Sequence, residues 1–207
     1  MRLGKDRTPV SEEPRPARVG RPASSPSVLR SRDRRIALVA LELFEARGVR
    51  DTTVAQIASQ ADISVRSFWR YFSSKEDAVR PLLETGLRDA VDRLGSVALG
   101  QSFTSAWADP SPGEIDDVDV VVRLLRLADR EPAISAVWLR VHHDASRSLA
   151  RAIARHESAS EDSLAVRVRA AVLNAALTVA IEYYASQSPP GQSISEVVAE
   201  AVHYAVD

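Results

Sequence analysis

Between positions 65 and 71 the chain places Arg66, Ser67, Trp69, Arg70 and Tyr71 within a single short segment, interrupted by Phe68. Two guanidiniums, a hydroxyl, an indole and a phenol are the groups that read base edges and hold phosphates. Arg donates in bidentate fashion to guanine O6 and N7, worth about 1–3 kcal/mol of discrimination, while Ser, Tyr and the amides at helix starts bind phosphate oxygens. A helix that only faces solvent rarely needs this mixture.

Such groups work only if something holds them outward. Val54, Ile57, Ala58 and Ala61 fall at i, i+3, i+4 and i+7, which predicts one apolar face on a short helix. Thr53 and Gln56 have capping-box spacing, so the helix should start near Thr53. Ile63 is the one apolar residue of the turn, and Phe68 and Phe72 lie four apart, so these three should close a small core against the preceding helix. Ser64 is then free to cap a second helix whose outer face carries Val65, Arg66, Ser67, Trp69, Arg70 and Tyr71. The pattern is that of a helix-turn-helix, although the spacing alone also fits an ordinary amphipathic helix pair.

The flanks add to it. Ile36, Val39, Ala40, Leu43 and Phe44 repeat at helical spacing and Gly48 ends the run. Downstream, Ser73 and Ser74 precede Lys75, Glu76 and Asp77, a serine cap with first-turn acids that should open a new helix near Lys75. Taken together, Ile36, Ala40, Leu43, Phe44, Gly48, Thr52, Thr53, Val54, Ile57, Ala58, Ala61, Ser64, Phe68, Tyr71, Phe72, Ser74, Lys75 and Glu76 resemble the N-terminal domain of TetR-family transcriptional regulators. The resemblance implies that Arg66, Ser67, Trp69 and Arg70 face the major groove and that Thr53, Tyr71 and Lys75 contact phosphates. Three positions depart from the family pattern. Asp62 stands where Gly is usual in the turn, Val65 where a polar residue is common, and Arg66 where a small one is. Asp tolerates the left-handed conformation, so the turn survives, but base preference does not transfer.

At 207 residues the chain has room for one or two domains, and 45% hydrophobic with only 5% aromatic residues favours Ala-, Val- and Leu-rich helices. We expect an all-α protein: a basic tail over 1–30, a three-helix DNA-binding domain over 31–77, and a helical bundle for ligand binding and dimerisation over 78–207. The absence of Cys excludes a disulfide framework and thiolate metal sites. No run of about 18 apolar residues stands out and no signal peptide is visible, so a cytoplasmic protein without a membrane partner is expected. The net charge is −1, yet residues 1–80 carry +6 and the remainder −7, which concentrates attraction for phosphate where the motif is.

Residues 1–30 hold Pro9, Pro14, Pro16, Pro22 and Pro26 with seven basic side chains, so they should lack order. Within them Gly20, Arg21 and Pro22 resemble the core of minor-groove arms, in which Arg21 would enter the groove; a nonspecific basic tail is the preferred alternative.

Further on, helices are expected over about 77–99, 115–130, 133–155, 162–185 and 193–205. The segment 164–184 is apolar nearly all round. Val168, Ala171, Val172, Ala175, Val179 and Tyr183 line one side, and Leu173, Leu177, Ala180, Ile181 and Tyr184 another. Such a helix must be buried on two sides, so the last two helices should form a four-helix bundle with a second copy. Asn174 and Glu182 on it need partners, preferably across that dimer, otherwise a ligand.

The TetR resemblance implies a pocket for a small, hydrophobic inducer in this domain. Phe103, Trp107, Trp138, His142, Asn174 and Tyr183 are the candidates to line it, against the plainer reading of each as core. The stretches 140–144 and 153–156 resemble a mycofactocin-regulator-like subgroup, which implies an acyl-CoA-like ligand. His142 and His143 point about 100° apart on a helix, poor for chelation. No nucleophile elbow or phosphate-cradling Gly loop is present, so no metal, cofactor or enzymatic activity is expected. The expectation is a homodimeric repressor on a palindromic double-stranded DNA operator, released by its inducer. An activator built on the same fold, or an all-α sensor of a small molecule or partner that does not act through DNA, are the alternatives.

Overall fold

Phe44, Ile57 and Phe68, each no more than 1% exposed, come one from each of the first three helices and belong to one buried cluster. In the computed structural model, which describes residues 26–97, 105, 118–187 and 191–206, these helices are α1 (Pro26–Arg47), α2 (Val54–Gln60) and α3 (Val65–Tyr71). A 3-10 turn over Glu76–Val79 leads into α4 (Arg80–Ser96); α5 (Val118–Ala128), α6 (Pro132–Glu157), α7 (Leu164–Ser186) and α8 (Ile194–Val206) follow. All regular structure among the described residues is helical, as the composition predicts.

The boundaries have local causes. Gly48 ends α1 at φ +84, a backbone conformation that side chains avoid, and its N–H donates to the Phe44 carbonyl at 2.9 Å. The hydroxyl of Thr52, only 1% exposed, donates to the Leu43 and Gly48 carbonyls and so covers the open end of α1. Helix α1 begins at Pro26, five residues earlier than the expected domain edge; Pro at a helix start loses no bond. The helix expected from Lys75 instead opens as the 3-10 turn, and Pro81 sits in the first turn of α4, where it costs no hydrogen bond.

Helix α4 leaves the first three helices and packs on α6, with Leu83, Leu87, Ala90 and Leu94 buried. Helices α6, α7 and α8 form the rest of that layer. Val166, Ala170, Leu173, Leu177 and Ala180 are the buried strip of α7. The opposite strip stays uncovered: Leu164 is 79% exposed, Val168 51%, Val179 60% and Tyr183 53%, with Tyr204 of α8 at 78%. By length and composition alone α7 could cross a bilayer, contrary to the expectation that no segment would. It packs lengthwise on α6 and α8 instead.

Candidate nucleic-acid interface

The two caps that fix the reader are formed as expected. The Thr53 side chain accepts from the Gln56 N–H at 3.3 Å, and the Gln56 carboxamide accepts from the Thr53 N–H at 2.8 Å. Ser64 accepts from the Ser67 N–H at 3.0 Å and starts α3. Between them Asp62 takes φ 52, so it supplies the left-handed turn that Gly would otherwise provide. Ile63 is half-buried, its N–H donating to the Ala58 carbonyl at 2.9 Å, and Phe68 and Phe72 are buried with ring centroids 5.1 Å apart.

That inward anchoring turns the other face of α3 out. Val65 is 43% exposed and Trp69 52%, while Arg66 and Arg70 are exposed and Ser67 is half-buried. Tyr71 is held between two cations: the Arg32 guanidinium lies 3.7 Å from its ring centroid and that of Arg70 4.8 Å, with Arg70 also donating to the Tyr71 hydroxyl. Arg32 is itself fixed by two bonds to Asp33, at 2.7 and 3.0 Å. Nothing in the sequence links Arg32 to Tyr71, 39 positions away; only the crossing of α1 over α3 does.

Lys75 departs from the phosphate role the resemblance implies. Its ammonium donates to the carbonyls of Val49, Arg50 and Thr52 at 2.6, 3.1 and 2.9 Å, which engages all three of its hydrogens. It ties the segment after α3 to the loop before α2, so it positions Thr53 rather than waiting for a ligand. Arg21 lies outside the described residues.

Two guanidiniums, Arg123 and Arg80, brace the junction between the first three helices and the helices that follow. Arg123 of α5 binds both carboxylate oxygens of Glu45 on α1. Arg80, at the first position of α4, binds Glu84 at 2.6 Å and Asp144 of α6 at 2.8 Å. Both guanidiniums have their pKa raised, chiefly by these carboxylates.

Within the second domain, Leu83, Leu87, Val118, Val121, Val122, Trp138, Ile181, Tyr184 and Ile194 enclose a narrow cavity of about 20 Å³ between α4, α5, α6, α7 and α8. Of the candidates among the described residues only Trp138 lines it. His142 stands one turn on, with its ring centroid 3.9 Å from that of Trp138. Asn174 faces its own protomer, correcting the expected bond across a dimer: its amide donates to the His142 carbonyl at 2.9 Å and to Ser146 at 3.1 Å. Glu182 likewise accepts from the Trp138 indole N–H at 3.2 Å. Tyr183 lies on the uncovered strip of α7, away from the cavity, while Phe103 and Trp107 lie outside the described residues. Among the described residues no Arg or Lys lines the cavity.

Comparison with known proteins falls on the same residues. The sequence profile of bacterial regulatory proteins of the tetR family matches residues 36–80. The HTH-type transcriptional regulator TcmR of Streptomyces glaucescens is 32% identical over 152 residues, 64% of this chain and 63% of its own length, so the chain spans less than two thirds of that relative. SCO7518 of Streptomyces coelicolor A3(2), solved as a candidate transcriptional regulator, shares the fold at a TM-score of 0.52 and 20% identity, covering 85% of this chain and 98% of its own. Thermus thermophilus FadR, a TetR-family repressor solved with lauroyl-CoA, covers 84% of this chain and 92% of its own at 20% identity and a TM-score of 0.47, too loose for its ligand to extend here. The matching profile describes regulatory proteins, and TcmR is a transcriptional regulator. The profile begins at Ile36 in the core of α1 and ends at Arg80, where α4 begins, so the segment that matches the tetR family of bacterial regulatory proteins encloses the whole reader just described.

Proposed function

We propose that the chain is a cytoplasmic, ligand-responsive transcriptional repressor that binds a palindromic operator as a homodimer. The observation that carries this reading is the outward face of α3, where Arg66, Trp69 and Arg70 stand exposed while Phe68 of the same helix is fully buried. Arg66, Ser67, Trp69 and Arg70 address base edges, with Ser64 and Val65 at the entry to the groove. Thr53 and Tyr71 hold phosphates, Tyr71 in the orientation set by Arg32. Lys75 fixes the loop behind them.

The uncovered strip of α7 with Tyr204 of α8 supports a second copy as partner. An apolar strip spanning a 23-residue helix is what an isologous helix-pair interface covers. Two readers related by that axis match an operator with two half-sites. Ligand entry between α4, α5 and α7 would move α4, which leads straight out of the DNA-binding part. It would also shift α5, whose Arg123 grips α1 through Glu45. Release then needs only a coupling of about 1–3 kcal/mol between ligand and operator.

Selection of genomic fragments by the purified protein, at a salt concentration that suppresses nonspecific phosphate binding, tests the reading. Enrichment of one palindrome supports it. Absence of any enriched sequence, together with unchanged function in an Arg70→Ala variant, would favour a sensor that does not use DNA.

A further inference from the structure

Buried polar atoms without partners are rare, and each asks for a reason. His142 Nε2 is one: the residue is 5% exposed and this nitrogen has no hydrogen-bond partner among the described residues. The surrounding bonds settle which form the ring takes. The Asn174 amide nitrogen is spent on the His142 carbonyl and Ser146, so its Oδ1 is the acceptor that meets His142 Nδ1 at 3.0 Å. The hydroxyl of Thr178 donates to the Asn174 carbonyl at 2.8 Å, so toward Nδ1, 2.9 Å away, it too is an acceptor. Nδ1 therefore carries the ring proton. Burial lowers the pKa of the ring, more than the bond to Asn174 and the charge of Glu182 raise it, so the imidazole is neutral. Nε2 is then a bare acceptor. The indole against that ring is Trp138, a wall of the apolar cavity.

We propose that His142 Nε2 is the polar anchor of the inducer site, and that the ligand is an uncharged, largely apolar molecule bearing one hydrogen-bond donor such as a phenol or alcohol hydroxyl. The proposal rests on the reading of this domain as the ligand-binding one. Aliphatic side chains supply the cavity's affinity for an apolar body, and their lack of cations disfavours an anion. The unsatisfied acceptor of a ring packed against the Trp138 wall selects for a donor, because a ligand without one leaves Nε2 as costly as before. The cavity has room for about one water-sized group as it stands, so the ligand enters by parting α5 from α4 and α7 and tilting Trp138 off His142. Val118, Val120, Val121 and Val122 of α5 are only half-buried, which leaves that helix the least anchored wall.

Equilibrium dialysis of the full chain against 2-naphthol, 2-methoxynaphthalene and 2-naphthoate tests this. Naphthol should be retained about tenfold more tightly than its methyl ether, and naphthoate least. In His142→Phe the gap should close while ether binding persists, which serves as the check that the cavity is intact. Should that variant not fold, the ¹⁵N resonance of wild-type His142 Nε2 should shift with naphthol and not with the ether. Equal retention of naphthol and ether, tighter naphthoate, or an unmoved Nε2 resonance would overturn the proposal and leave the cavity reading standing. Retention of none of the three would overturn both.

Discussion

Replacing Lys75 by Met keeps the length of the side chain and removes its charge. In the structure that ammonium holds three carbonyls of the α1–α2 loop, at 2.6, 3.1 and 2.9 Å. Hydrogen bonds involving a charged group are worth about 1.5–3 kcal/mol. The three share one half-buried ion whose desolvation offsets part of the gain, so the loss should total about 2–4 kcal/mol. Against a typical stability of about 5–15 kcal/mol this is a large fraction. For a chain of this size about 2–4 °C of melting temperature accompanies each kcal/mol, so the free protein should melt roughly 4–16 °C lower. Calorimetry without DNA reads this directly. The salt dependence of operator binding supplies the contrast: a lysine that neutralises a phosphate contributes about 0.9 to the slope of log K against log salt. Lys75→Met should weaken binding yet leave that slope unchanged. An unchanged melting temperature with a slope lower by about 0.9 would refute the clasp and restore Lys75 to the phosphate set.

Other perturbations separate the parts of the protein. Arg70→Ala and Trp69→Ala remove exposed groups, so the melting temperature should move little while operator affinity falls by about 1–3 kcal/mol for each; intact binding by the folded variants would remove α3 from the interface. Val179→Glu places a charge in the middle of the uncovered strip of α7, and sedimentation should show monomers; a persisting dimer would put the interface elsewhere. Below about pH 6.5 the unfolded chain protonates His142 before the folded one does, because burial lowers the folded pKa. Stability should then fall by up to about 1.4 kcal/mol per pH unit from this group between about pH 6.5 and the folded pKa, with no such loss above about pH 6.5. His142→Gln should flatten the profile in that window; curves that superimpose would mean the imidazole is not held neutral.

Local chemistry made the reader legible in advance. The Thr53–Gln56 capping box, the Ser64 cap and the left-handed Asp62 are decided by residues three or fewer positions apart, and sequence lists such neighbours directly. Periodicity likewise separated the two sides of α7, since Leu173 and Leu177 are buried while Val168 and Val179 are not. What periodicity could not assign was the partner of each polar group. Asn174 and Glu182 read as groups in search of a dimer, yet they meet His142 and Trp138 of the same chain, because α6 crosses α7 at a register no pattern encodes.

The same limit explains Lys75 and Tyr183. A lysine beside a reader looks like a phosphate contact until the fold brings carbonyls from 23–26 residues upstream onto its ammonium. A tyrosine on an apolar helix looks like a pocket wall until the rotation of α7 turns it outward. Sequence by itself determined the helices, their caps and which faces are apolar, because these depend on backbone conformation and spacing within a turn or two. Tertiary structure alone decided which long-range donor meets which acceptor: Arg32 over Tyr71, Arg123 on Glu45, and a histidine left with one bare nitrogen. Those pairings depend on where helices cross, which is set by the packing of the whole core.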